Sequence, residues 1–171
     1  DMGAAAVRVT NDITKSEVDD LLTDTTGKIT VVSITEDKSD LSTINDNTNV
    51  ILSTANITVE DNVSRSEADV IDGYSNTSGI VTLTSITDTV SNVTAVNSNT
   101  NISLANAAII ITDPASLSDA NAINLMTEGK VTLNSVADNY SNIQSIKSID
   151  DSQVDMGAAA VRVTNDITKS E

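Results

Sequence analysis

Three stretches of the chain alternate β-branched and polar positions behind a glycine: Gly27–Asp37, Gly79–Thr89 and Gly129–Asn139. In each, the glycine marks a turn, the alternation predicts a strand, and an acidic or polar residue ends it. The glycines stand 52 and 50 residues apart, a spacing that belongs to repeated architectures. Before each strand the apolar positions cluster at short helical spacing: Val18, Leu21, Leu22; Ala68, Val70, Ile71; Ala120, Ile123, Met126. Each cluster follows a serine with an acid or Asn three residues on (Ser16-Glu17-Val18-Asp19, Ser66-Glu67-Ala68-Asp69, Ser118-Asp119-Ala120-Asn121), which predicts a helix of about two turns starting there. Earlier still, Ala4–Thr10, Ile51–Val59 and Ile102–Thr112 read as strands. A turn or two of helix is predicted after each glycine-led strand, over 37–44, 88–96 and 138–146. The second unit carries two extra residues around Asp72-Gly73-Tyr74-Ser75, expected to bulge at the surface.

These elements divide residues 1–153 into units 1–49, 50–101 and 102–153, each with two coils of about 25 residues, the length of one rung in a strand-plus-helix repeat. The fold class expected is a repeat solenoid, mainly parallel β with short helices, running through 1–171 as one continuous body. Ile29, Val31, Val81, Leu83, Val131 and Leu133 then face inward in rows, and Thr30, Thr82 and Thr132 form an outward threonine ladder. Residues 155–171 repeat residues 1–17 without a change, so 154–171 begins a further period. The expectation is one period plus an overlap from a longer periodic polymer, associating end to end with further copies.

Composition narrows the function. There is no Phe or Trp, which suits thin regular layers of Ile, Val, Leu and Ala. The formal charge is −16, spread so that no unit is basic, which argues against a nucleic-acid partner. No apolar run reaches the length of a membrane span, so membrane insertion is not expected. Without His or Cys, triads, thiol nucleophiles and zinc sites fall away, and an enzyme is not expected. The carboxylate pairs Asp19/Asp20 and Asp150/Asp151 read as solvated charge.

Calcium is the best ligand hypothesis. Asp37, Asp61, Asp88, Asp113 and Asp138 recur at one corner of the units, and Ca²⁺ takes several oxygen ligands. The competing reading makes them helix caps and strand stops. Glycosylation sequons stand at Asn56, Asn62, Asn76, Asn92, Asn101 and Asn139.

The stretches Ser118–Ile123, Thr127–Leu133 and Ser85–Asp88 resemble the Thr/Ala/Asp-rich tandem repeats of giant bacterial cell-surface proteins, of the kind seen in cyanobacterial motility-associated and adhesin-like polypeptides. The resemblance implies an extracellular structural array and carries over no functional residues. Two functions compete: a structural segment of a filament, sheath or surface array, and an adhesin, Ca-binding or ice-binding module using the threonine ladder. Lys28, Lys130 and Asn134 interrupt that face, which favours the structural reading.

Overall fold

The glycine-led alternating runs form the long strands β2 (Ile29–Glu36), β5 (Val81–Asp88) and β8 (Val131–Asp138). The segments preceding the helices form β1 (Val7–Ile13), β4 (Asn56–Val63) and β7 (Ala108–Ala115), and the duplicated segment gives β10 (Ala160–Val163). Two-residue strands β3 (Val50–Ile51), β6 (Ile102–Ser103) and β9 (Val154–Asp155) complete the set. Among the described residues the six helices are α1 (Lys15–Asp24), α2 (Lys38–Asp46), α3 (Arg65–Ser75), α4 (Val90–Asn97), α5 (Leu117–Asn124) and α6 (Tyr140–Lys147). The computed structural model describes residues 2–75, 79–149 and 153–165.

Among the described residues all ten strands belong to one sheet of order β1-β2-β4-β5-β7-β8-β10, with β3 beside β2, β6 beside β5 and β9 beside β8. This corrects the expected fold class. The chain is an α/β protein in which long parallel strands alternate with helices of 8 to 11 residues, not a mainly-β solenoid of rungs, and the filament of stacked β rungs falls with it. The reason lies in the helix starts. The caps are Thr14 and Ser116, each with a full capping box to Glu17 or Asp119, and Ser64 pairs with Glu67 in the same way. They lie two residues before the predicted starts at Ser16, Ser66 and Ser118. Each helix thereby gains half a turn, and Ile13/Val18, Val63/Ala68 and Ala115/Ala120, all buried, fall at the spacing of a hydrophobic staple.

Two compact units are distinguished. The first, Asp1–Thr84 with Asn99–Ser103, holds β1 to β4, β6, the first half of β5 and helices α1 to α3. In it β1 pairs with β2 from Val7 opposite Ile29 to Ile13 opposite Ile34, with an irregularity between Val9 and Asp12. On its other side β2 pairs first with β3 and then with β4, Ile34 facing Ile57. The second unit, Ser85–Ser98 with Leu104–Glu171, holds the rest. There Ile109 of β7 stands between Ile86 of β5 and Val131 of β8, and Val136 of β8 faces Val161 of β10.

Ile29, Val31, Val81, Leu83, Val131 and Leu133 are all buried as expected, but β4 and β7 stand between their strands, so they do not align in rows with one another. The helices bury their own stripes, Leu41 and Ile44 on α2 and Ile143 and Ile146 on α6 among them. The strands predicted over Ile51–Val59 and Ile102–Thr112 are each broken in two by a tight turn, where Ala55 N–H bonds Leu52 O (2.8 Å) and Ala107 N–H bonds Leu104 O (2.9 Å). The same turn joins Ala5 to Met2 and Ala159 to Met156. The insertion at Asp72–Ser75 does not bulge; it forms the last turn of α3, the longest helix.

Candidate functional site

Each recurring acid at the strand ends is held by backbone amides. Asp37 caps α2, accepting from Asp40 N–H at 2.8 Å. Asp61 accepts from Lys38 N–H (3.0 Å), Asp113 from Val90 N–H (2.8 Å), and Asp138 from Leu117 N–H (3.0 Å). In these three the donor is the first amide of a helix that precedes the acid by 21 to 23 residues. Glu36 does the same for Lys15 N–H, and Asn165 for Tyr140 N–H (2.8 Å). Asp88 and Asp138 also hold the next residue's N–H and the amide of Asn92 or Asn142. These carboxylates therefore satisfy helix N–H groups that have no intrahelical partner, and they sit at the positive end of the helix dipole. Among the described residues no three His, Cys, Asp or Glu side chains gather as a metal would need.

Asp138 is held below the usual carboxylate range chiefly by Leu117 N–H, then by Asn139 N–H and the Asn142 amide. Glu67 is lowered by Ser64 N–H and by Lys38, whose ammonium lies 2.9 Å away. Asp155 is lowered by Lys130 at 2.6 Å and by Gly157 N–H. A depressed folded-state pKa contributes stability that is fully present above the unfolded value, about 4, and is lost as pH falls through the folded value. The melting temperature should therefore fall between about pH 5 and pH 2, and Asp138→Ala should flatten that fall. A melting temperature that rises steadily on acidification would mean that relief of the net negative charge outweighs the caps.

A second arrangement was not legible as a site. The only buried polar side chains among the described residues are Thr25, Ser75 and Thr127. Thr25 Oγ1 donates to Ala5 O (2.6 Å) and accepts from Gly27 N–H (2.9 Å). Thr127 repeats this with Ala107 O (2.7 Å) and Gly129 N–H (2.8 Å). Ser75 Oγ reaches Ala55 O at 2.7 Å from the end of α3. Each hydroxyl clamps the entry of a glycine-led strand to the turn of the strand before it. Replacing Thr127 by Val keeps the shape and strands the Ala107 carbonyl and the Gly129 N–H; chemical denaturation should show a loss of about 1–3 kcal/mol. A loss under about 0.5 kcal/mol would show that the clamp is not structural.

The outward threonines do not form a ladder. Thr30 has Arg8 and Ile51 as its sheet neighbours, Thr82 has Ser103, and Thr132 has Ile110 and Asp155. Intervening strands that the glycine period does not count separate them. Asp19 pairs with Lys15 at 2.5 Å, while Asp150, Asp151 and the sequon at Asn76 lie outside the described residues.

What remains open is the sheet's two edges. Among the described residues no strand pairs with the outer side of β1 or of β10. Beside β10 lies a groove of about 710 Å³ lined by Ile143, Ile146, Val154, Ala159, Val161 and Val163, with Lys147 at its rim. Val161 is 53% exposed, unusual for valine in a strand. Beside β1 a groove of about 430 Å³ is lined by Val7, Val9, Ile13 and Leu21 and by the acids Glu17, Asp20 and Asp24. No helix among the described residues is long and apolar enough to cross a membrane. No family model, curated protein or solved structure matches the chain.

Proposed function

We propose that the chain is a non-catalytic structural module of an extracellular surface array or sheath, and that it works by associating with further copies of itself through its open sheet edges. One observation carries this reading. The duplicated segment stands at both edges in the register that interior strands use. Val161 faces Val136 as Ile57 faces Ile34 and as Ile109 faces Ile86. Val7 faces Ile29 as Ile109 faces Val131. Among the described residues each edge strand thus pairs on one side as an interior strand does, and parallel edges with apolar faces recruit strands.

Composition agrees with such a role. An acidic chain without cysteine keeps a charged surface and needs no redox chemistry, and the resemblance to bacterial surface repeats supplies the location. The absence of His and Cys and the commitment of the recurring acids to helix caps support a role without catalysis. Sedimentation of the purified 171-residue chain over a wide concentration range tests the proposal. Mass should rise with concentration, and fall again on dilution. A monomer at every concentration overturns it.

A further inference from the structure

We propose that two copies join by strand exchange, with β1 of one copy replacing β10 against β8 of the other. The inference rests on the self-association reading above and specifies its partner surface. In the free chain the segment 1–17 is present twice, and among the described residues β1 pairs only with β2 and β10 only with β8. Their interior counterpart β7 pairs on both sides at once. A single copy of the segment can therefore hold β8 of one chain and β2 of another. The other copy is released, and the contacts it made are kept by its twin.

β1 has seven residues and runs on into α1, and it is the strand retained. It pairs with the register that β10 vacates: Val7 opposite Val136, Arg8 opposite Ala137 and Val9 opposite Asp138. Asn11 takes the place of Asn165 as acceptor for Tyr140 N–H. β1 leads through the Thr14–Glu17 capping box into α1, which is thereby laid along α6. The two grooves close on each other, Val7, Val9 and Leu21 meeting Ile143 and Ile146, while Asp20 and Asp24 approach Lys147.

The turn before the strand is built for both settings. Gly3 stands at φ +58°, whereas Gly157, the same residue of the repeat, lies outside the left-handed region. At the interior turns this position is Ser53 or Ala105. Glycine alone passes between the two conformations without steric cost, so the Gly3 turn can adopt the Gly157 geometry when β1 moves from edge to interior.

The chain has no cysteine, so engineered thiols report cleanly. Arg162 faces Ala137 in the free chain, and neighbouring strands about 4.8 Å apart suit a disulfide. The double variant A137C/R162C, oxidised at low concentration, locks β10 in place. Exchange predicts that the locked chain keeps the monomer mass at concentrations where the wild type gains mass, and that reduction restores the gain. A second measurement mixes A137C chains with R8C chains. Exchange predicts a disulfide-linked heterodimer, because Arg8 of one chain then faces Ala137 of the other. Circular dichroism of each single variant confirms that it is folded. A locked chain that associates as well as the wild type, or association with no 8–137 crosslink, overturns the exchange and leaves self-association standing. A wild type that never associates overturns both.

Discussion

Gly129→Ala should abolish folding or cost more than any single surface change in the chain. A Cβ on residue 129 would stand 2.7 Å from the carbonyl carbon of Ala107 and from Asn106 O, and nearer still to Ala107 O. These are backbone atoms of the tight turn before β7, so no side chain can swing aside. The turn is fixed from the other direction by Thr127, whose hydroxyl bonds the same Ala107 carbonyl, and by Glu128 N–H bonding Ala105 O at 2.7 Å. Relieving the clash means pulling β8 away from β7 along the ladder that joins Ile109 to Val131. Overpacking of this kind costs about 1–3 kcal/mol where side chains can yield, and more where backbone must move. Gly27 and Gly79 meet Ala5 and Ala55 in the same way, so Gly27→Ala and Gly79→Ala should behave alike. Gly73 is the internal control. It sits in α3, and a methyl group there would meet nothing within 4 Å, so Gly73→Ala should stabilise by about 0.5–1 kcal/mol. Equal melting temperatures for Gly129→Ala and wild type would show that the close approach is not required.

The glycine-led strands are legible in the sequence because β-branched alternation is a local signal, and the glycines that precede them are legible as turns. The reason those positions must be glycine is not. It is the carbonyl of a residue 22 to 24 positions earlier, and no local pattern reports that distance. The same limit governs the acids. Asp61, Asp113 and Asp138 recur visibly along the chain, but the groups they bind are first-turn amides of helices one strand back. A cap made across the sheet looks, in sequence, like an acid waiting for a cation. Helix length escapes for a nearer reason. Thr14 to Glu17 and Ser16 to Asp19 both fit the capping spacing, and only the buried pair Ile13 and Val18 decides between the frames. The duplicated 17 residues are visible at once, but that β1 pairs with β2 and β10 with β8 is visible only in the register.

Ile34→Ala should give the largest loss among core truncations of the first unit. Ile34 is fully buried in the middle of a row of three isoleucines, facing Ile13 of β1 on one side and Ile57 of β4 on the other. Its neighbours in the row are held by main-chain ladders on parallel strands, so they cannot collapse toward the space the side chain leaves. A cavity that stays open adds its own cost to the lost transfer energy, and isoleucine-to-alanine changes at such sites run at about 2–5 kcal/mol. For a chain of this length that corresponds to a drop in melting temperature of about 4–20 °C. Thr35→Ala, one residue on and facing away from the row, should stay within about 0.5 kcal/mol of wild type. The pair separates packing from strand propensity, since both changes remove a β-branched residue from β2. Similar losses for the two would mean that the strand is held by its backbone preference and that the isoleucine row contributes little. A large loss at Ile34 alone places the stability of this edge of the sheet in the row that β1 completes.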